Sequence, residues 1–176
     1  MKAIFLDRDG TINDGVPTHE RVDSIDKVTL LPNTLKALAM LSKLDYDVFF
    51  ITNQAGIAEG LISLEQFNDI NNKVLELISP SGIKVLKTYL CPHGENDKCG
   101  CRKPSPKLLN DAANEFNIDL EKSWMIGDRP SDVLTGHNAG TRTILVKTGV
   151  PTVESDTATY TAPSLLEAVQ YIADNP

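Results

Sequence analysis

Short apolar runs rich in β-branched and aromatic residues recur along the chain: AIFL (3–6), VFFIT (48–52), KVLKTYL (84–90), SWMIG (123–127) and RTILVK (142–147). They are strand-length and mostly apolar on both sides, the pattern of strands buried on two faces. Between them the period changes to that of helices. Leu35, Leu38 and Leu41 recur at near-helical spacing, and SLEQFNDINNKVLELI opens with a Ser63/Gln66 capping box. Ser105 and Pro106, an N-cap followed by a first-turn proline, start a helix through Leu108, Leu109, Ala112 and Phe116. A last helix runs from about Ser164, with Glu167 in capping position and Leu165, Leu166, Val169 and Ile172 as its apolar face. Strand and helix in alternation predict an α/β fold, a mainly parallel sheet with helices on both faces. No repeat, low-complexity tract or linker interrupts it, so one domain over residues 1–176 is expected.

The polar residues that end these strands carry the chemistry. Asp7 follows the first strand, Thr52 ends the second, the segment up to Lys103 follows the third, and Asp128 follows the fourth. Ligands of open α/β sheets bind outside the carboxyl ends of the strands, so these points should converge on one crevice. Asp7 and Asp9 are two apart and point the same way if the chain stays extended, and Gly10 then permits a sharp turn. Adjacent carboxylates repel, and a cation shared with Asp128 offsets that repulsion. Oxygen-only ligands suit Mg²⁺, which also takes substrate phosphate. Thr52 offers a hydroxyl, Asn53 an amide and Lys103 a point charge toward phosphate oxygens. An isolated D-x-D is an ordinary strand end; the ordered set describes a phosphoryl-transfer site.

Composition narrows the setting. The chain has 176 residues, 41% of them hydrophobic, enough for a core without covalent staples. Its first residues hold one Lys and an apolar run too short for a signal peptide or a membrane span, so a cytoplasmic protein is expected. All three cysteines lie in one segment, which suits a reducing compartment better than a secreted disulfide framework. A net charge of −7 disfavours nucleic acid and anionic membrane as partners. The expected partner is a small-molecule phosphate ester, bound by a monomer.

DRDGT, TNQ, RKP with Lys103, and GDRPSD resemble, in order and spacing, the four signature motifs of the haloacid dehalogenase superfamily of phosphohydrolases, from Ala3 to about Gly149. The resemblance implies a Rossmann-like fold and Mg²⁺. Carried over, it makes Asp7 the nucleophile that forms an aspartyl-phosphate. Asp9 becomes the group that protonates the leaving alcohol and later deprotonates water. Mg²⁺ is then held by Asp7, the Asp9 carbonyl and Asp128; Thr52 and Lys103 stabilise the transferring phosphoryl, and Asp132 orients a metal-bound water. An acid at Asp9 favours a phosphatase over a dehalogenase. Larger members insert a cap domain after the first or second motif; here neither gap has room, so the fold is expected capless, with selectivity from residues 13–24 and 91–102.

The cysteine segment pairs Cys91 with His93 and Cys99 with Cys101, a complete Cys₃His set of the kind that closes a structural zinc site. A Cys99–Cys101 disulfide would be strained across one residue, a redox pair usually reads C-x-x-C, and a nucleophilic cysteine is redundant beside Asp7. The C-x-H…C-x-C-R-K-P arrangement resembles the zinc-containing branch of the superfamily, the histidinol-phosphate and heptose-bisphosphate phosphatases, which implies a zinc-binding loop at 91–101. That loop would hold Arg102 at the crevice rim toward substrate. Trp124 reads as core, His19 and His137 as surface or helix residues, and Arg129 faces either substrate or its acidic surroundings.

For the substrate, the segment 13–32 resembles the histidinol-phosphatase loop, while TNQAGIAEGLIS is nearer the heptose enzymes except that Glu59 stands where they usually carry Arg. L-Histidinol phosphate is therefore the expected substrate, with D-glycero-D-manno-heptose 1,7-bisphosphate as the alternative. Two readings of other classes compete: a phospho-receiver domain, which lacks the second acid two residues on, and a zinc-binding interaction module.

Overall fold

The computed structural model describes residues 1–14, 22–149 and 154–176. Six strands, β1 (Ala3–Leu6), β2 (Asp47–Asn53), β3 (Val85–Cys91), β4 (Trp124–Gly127), β5 (Arg142–Val146) and β6 (Tyr160–Ala162), form one sheet in the order β3-β2-β1-β4-β5-β6. Every neighbouring pair is parallel. The five apolar runs of the sequence are five of these strands. β6 has only three residues, one buried, and is too short to leave a pattern.

The strands' two-residue period divides the core in two. Ile4, Leu6, Val48, Phe50, Trp124, Ile126, Ile144 and Val146 point to one face and meet Leu38 and Leu41, Ile70 and Val74, and Val169 and Ile172. These belong to helices α1 (Thr34–Leu41), α3 (Leu64–Ile78) and α6 (Leu165–Asp174). The opposite face, Ala3, Phe5, Phe49, Ile51 and Met125, packs on Leu108, Leu109 and Ala112 of α4 (Lys107–Phe116), with Ala139 of α5 (Pro130–Ala139) alongside. A four-residue helix, α2 (Ala55–Ala58), follows β2 directly.

The helix starts follow their capping chemistry. Ser63 Oγ accepts from the Gln66 backbone and Gln66 Oε1 from the Ser63 N–H, at 3.0 and 2.8 Å, closing the box at the head of α3. In α4 the hydrogen-bonded helix begins at Lys107, whose N–H donates to Ser105 Oγ at 3.3 Å. Leu35 departs from the expected apolar face and is 40% exposed; the inner face of α1 is Thr34, Ala37, Leu38 and Leu41, the i, i+3, i+4, i+7 row of a true 3.6-residue period.

Among the described residues, a 3-10 helix (Ile25–Lys27) and α1 separate β1 from β2, and α2, α3 and a second 3-10 helix (Ser79–Ser81) separate β2 from β3. No separate cap unit occurs among them. No helix of the described residues is long and apolar enough to cross a membrane. His137 is an exposed residue of α5 and Trp124 is core, while His19 lies outside the described residues.

Candidate active site and metal centre

The four strand ends do converge. A cleft of about 750 Å³ is lined by Asp7, Asp9, Thr52, Asn53, Lys103 and Asp132, with Arg102 and Arg129 also on its wall. Lys103, 6% exposed, is its electrostatic hub. Its Nζ donates to Asp7 Oδ1 at 2.6 Å, lies 2.6 Å from Asp132 Oδ1 and donates to the Ile51 carbonyl at 3.0 Å. Burial alone would depress this ammonium, but Asp132 and Asp7 outweigh it and raise its pKa, keeping the lysine charged.

Asn53 lines the cleft, and its amide is engaged with the Lys103 backbone: Nδ2 donates to the Lys103 carbonyl at 3.3 Å and Oδ1 accepts from the Lys103 N–H at 3.1 Å. This pair of bonds across the cleft wall fixes Lys103, and through it the ammonium. Thr52, at the end of β2, is buried, and its Oγ1 accepts from Gln54 Nε2 at 2.9 Å. Asp132 also closes the head of α5, its Oδ2 accepting from the Arg129 N–H at 3.0 Å.

Asp128 is fully buried, and neither carboxylate oxygen meets a hydrogen-bond donor among the described residues. Arg129 Nε is 3.9 Å from Oδ2. Burial, then the like charge of Asp132, push the Asp128 carboxyl up to about 6 against the pull of Arg129. Burial likewise raises Asp7 well above the usual carboxylate range, opposed by Lys103 and reinforced by Asp132 and Asp128. The backbone has been cleared around Asp128. A Cβ on Gly149 would sit 1.9 Å from its Oδ2, and one on Gly10, whose φ of +94° already favours glycine, 2.5 Å from it. Carboxylate oxygens of Asp7, Asp128 and Asp132 lie within 4.8 Å of one another. Orphaned, buried, like-charged oxygens in a cradle kept free of side chains fit a hard divalent cation.

The second cluster is equally compact. Sγ of Cys91, Cys99 and Cys101 and a ring nitrogen of His93 lie within 4.8 Å of one another. Cys91 Sγ is 3.6 Å from His93 Nδ1 and 3.8 Å from Cys99 Sγ, and His93 Nδ1 is 3.3 Å from Cys101 Sγ. Zinc bonds of about 2.0 to 2.3 Å make tetrahedral edges of roughly 3.5 to 3.8 Å, which these separations approach, while Cys91 and Cys101 Sγ, at 2.9 Å, would have to move apart to admit the ion. Burial pushes the Cys91 thiol up to about 12, so a metal taken there displaces a proton. Immediately after this loop, Arg102 is tied back to it, donating from Nη1 to the His93 carbonyl at 3.1 Å and from Nη2 to Glu95 at 3.2 Å.

Sequence reasoning missed the partners of Asp9. Arg8 donates to it from Nε at 3.2 Å and from Nη2 at 3.0 and 2.9 Å, Asn13 Nδ2 at 2.9 Å, and Gln54 Nε2 at 2.6 Å. Burial works to raise the Asp9 carboxyl, but the Arg8 guanidinium and these hydrogen bonds outweigh it and hold it below the usual carboxylate value. The available signal was local: a cation set between two aspartates, and an amide directly after Thr52 and Asn53.

Carboxylates fit for a divalent cation, beside a buried lysine at the carboxyl ends of a parallel sheet, suit phosphoryl chemistry. A family model described as HAD-hydrolase-like matches residues 100–168, and a D-glycero-β-D-manno-heptose-1,7-bisphosphate 7-phosphatase of Pasteurella multocida is 39% identical over 160 residues, covering 87% of this chain and 85% of the relative. The chain belongs to the haloacid dehalogenase-like hydrolases and is a phosphoric monoester hydrolase. A Bordetella bronchiseptica relative of the same description is 38% identical over 149 residues, 85% of this chain and 82% of the relative. The crystal structure of the D,D-heptose 1,7-bisphosphate phosphatase from B. bronchiseptica, complexed with magnesium and phosphate, superposes with a TM-score of 0.90 at 31% identity, covering 100% of both chains.

Proposed function

We propose that the protein removes the 7-phosphate of D-glycero-D-manno-heptose 1,7-bisphosphate. The supporting observation is a pair of cations, Arg102 and Arg129, on the wall of the cleft that also holds Asp7 and Lys103, a layout suited to a substrate with a second phosphate. The names carried by the relatives agree with it. The expectation of L-histidinol phosphate gives way for a physical reason. Glu59, taken as a substitute for a phosphate-binding arginine, ends α2 and is not among the described residues that line the cleft. Of the loop that resembled the histidinol enzymes, residues 15–21 lie outside the described residues; Val22 and Asp23 line the cleft without adding a cation.

In the mechanism that follows, an Asp7 oxygen attacks phosphorus and the bond to the sugar oxygen breaks, leaving an aspartyl-phosphate. Asp9, ionised before substrate binds because Arg8 holds its carboxyl low, takes up a proton when the negative phosphate lies beside it. It gives that proton to the departing alkoxide and then takes one from the water that attacks phosphorus, releasing phosphate and restoring Asp7. Lys103 and Thr52 hold the phosphoryl oxygens as charge shifts among them, Asn53 and Asp132 fix Lys103, and Arg102 and Arg129 take the distal phosphate. Asp7, the Asp9 carbonyl and Asp128 would hold Mg²⁺, with Asp132 orienting its water. Bound there, Mg²⁺ supplies positive charge that keeps Asp7 ionised and screens phosphate from the carboxylates.

Steady-state rates on both anomers of the heptose bisphosphate, L-histidinol phosphate and 4-nitrophenyl phosphate, measured side by side, test the substrate. The heptose bisphosphate should exceed the other two in kcat/KM by about 100-fold or more, since a second phosphate adds charge-assisted contacts. Preference for histidinol phosphate, or for the aryl ester, contradicts the assignment.

Zinc is the proposed occupant of the cysteine cluster, with a structural role. Elemental analysis should find about one zinc per chain. Cys99→Ser should weaken zinc binding at least about tenfold and raise KM for the bisphosphate more than it lowers kcat, because the loop holds Arg102 and not Asp7. A metal-free Cys99→Ser protein of unchanged melting temperature and KM would remove that role.

A further inference from the structure

We infer that Arg8 is a positioning residue for the departing alcohol: it fixes the Asp9 carboxyl so that one oxygen faces the cleft. This rests on the reading of Asp9 as the proton donor, and it assigns work to a side chain shut off from solvent. Arg8 is 0% exposed, a rare state for an arginine. Its guanidinium lies 5.1 Å from the centre of the Phe67 ring on α3, and Nη1 has no hydrogen-bond partner among the described residues. A buried ion pair with an unmet N–H is weak evidence for a stabilising role, since apolar residues in place of the whole pair often cost nothing, whereas loss of Arg8 alone leaves the Asp9 charge uncompensated. Its contact with Asp9 gives it another use.

The two Asp9 oxygens differ in their surroundings. Oδ1 accepts from Arg8 Nε and Nη2 and from Asn13 Nδ2, and both donors' residues are fully buried. Oδ2 accepts from Arg8 Nη2 and from Gln54, which lines the cleft. Arg8 grips both oxygens from the protein side, and Phe67 supports the far face of the guanidinium. Carboxyl rotation is thereby restricted, and Oδ2 is the oxygen presented beside Gln54, where a leaving group can be reached. The loop that allows this is local. The Arg8 carbonyl accepts from the N–H groups of Thr11, Ile12 and Asn13, which folds Asn13 back onto Asp9.

A misplaced donor slows only those reactions that need the proton, so leaving-group dependence separates positioning from simple loss of fold. Arg8→Met should lower kcat on the heptose bisphosphate by about 100-fold, the usual scale of general acid catalysis, and on 4-nitrophenyl phosphate by less than about fivefold. Arg8→Lys should recover part of the loss. Asn13→Ala and Phe67→Leu, which leave the guanidinium in place, should show the same bias at smaller size, and they carry the test if Arg8→Met does not fold. Equal losses on both substrates in these variants, or no loss, overturn the inference. Asp9→Asn is the control: if it too shows no bias toward the poor leaving group, the reading of Asp9 as donor fails, and the role of Arg8 falls with it.

Discussion

Asp7→Asn should abolish phosphate release, by at least about 10³-fold on any substrate, while the fold and the metal content of the cysteine cluster stay those of the wild type. The amide matches the carboxyl in shape but cannot form the acyl phosphate. The substitution also removes one of the two carboxylates that Lys103 bridges, and the other, Asp132 at 2.6 Å, still pairs the ammonium. Loss of activity therefore does not require loss of the cleft. Circular dichroism, zinc content and single-turnover phosphate release on one preparation check this together. Turnover retained in the Asp7→Asn variant assigns the nucleophile elsewhere.

Asp128 carries the second large effect. Its carboxyl is pushed up to about 6 from an ordinary value of 3.8, so the metal-free fold binds this proton more tightly than the unfolded chain does. The stability gained from that proton is complete below the ordinary value and disappears as pH rises through about 6. Metal-free protein should consequently melt lower at pH 7.5 than at pH 5, and Mg²⁺ should raise the melting temperature more at pH 7.5, where the orphaned carboxylate is charged. Asp128→Asn should remove the extra Mg²⁺ response, raise the metal-free melting temperature at pH 7.5 and lower phosphate release by about 100-fold or more. Gly149→Ala should mimic the loss of activity, since its Cβ would lie 1.9 Å from Asp128 Oδ2. A wild-type Mg²⁺ shift independent of pH, or retained in Asp128→Asn, contradicts this account of the seat.

What could be read from the chain beforehand follows from the range of the interactions involved. Strand interiors were legible because burial on two faces leaves continuous apolar runs, and the residue after each strand inherits its place from the strand. Asp7, Thr52, Lys103 and Asp128 therefore converged as expected. Leu35 was misplaced because three leucines at equal spacing drift off a 3.6-residue period, and Thr34 and Ala37 took the inner row. The partners of Asp9 were not legible, since Asn13 reaches it only through a turn closed on the Arg8 carbonyl and Gln54 reaches it from β2's end. The tie between Asn53 and Lys103 was not legible for a related reason: the partner is a backbone fifty residues away. The approach of Gly149 to Asp128 joins two loops that share no sequence pattern.

The covalent phosphate proposed on Asp7 can be trapped chemically. Wild-type protein mixed with excess heptose bisphosphate, quenched in acid during turnover and reduced with borohydride, should yield homoserine at position 7 in the peptide spanning the first strand, and aspartate unchanged at position 9. Aspartate intact at both positions, with turnover confirmed before the quench, or homoserine at position 9 instead, would contradict it.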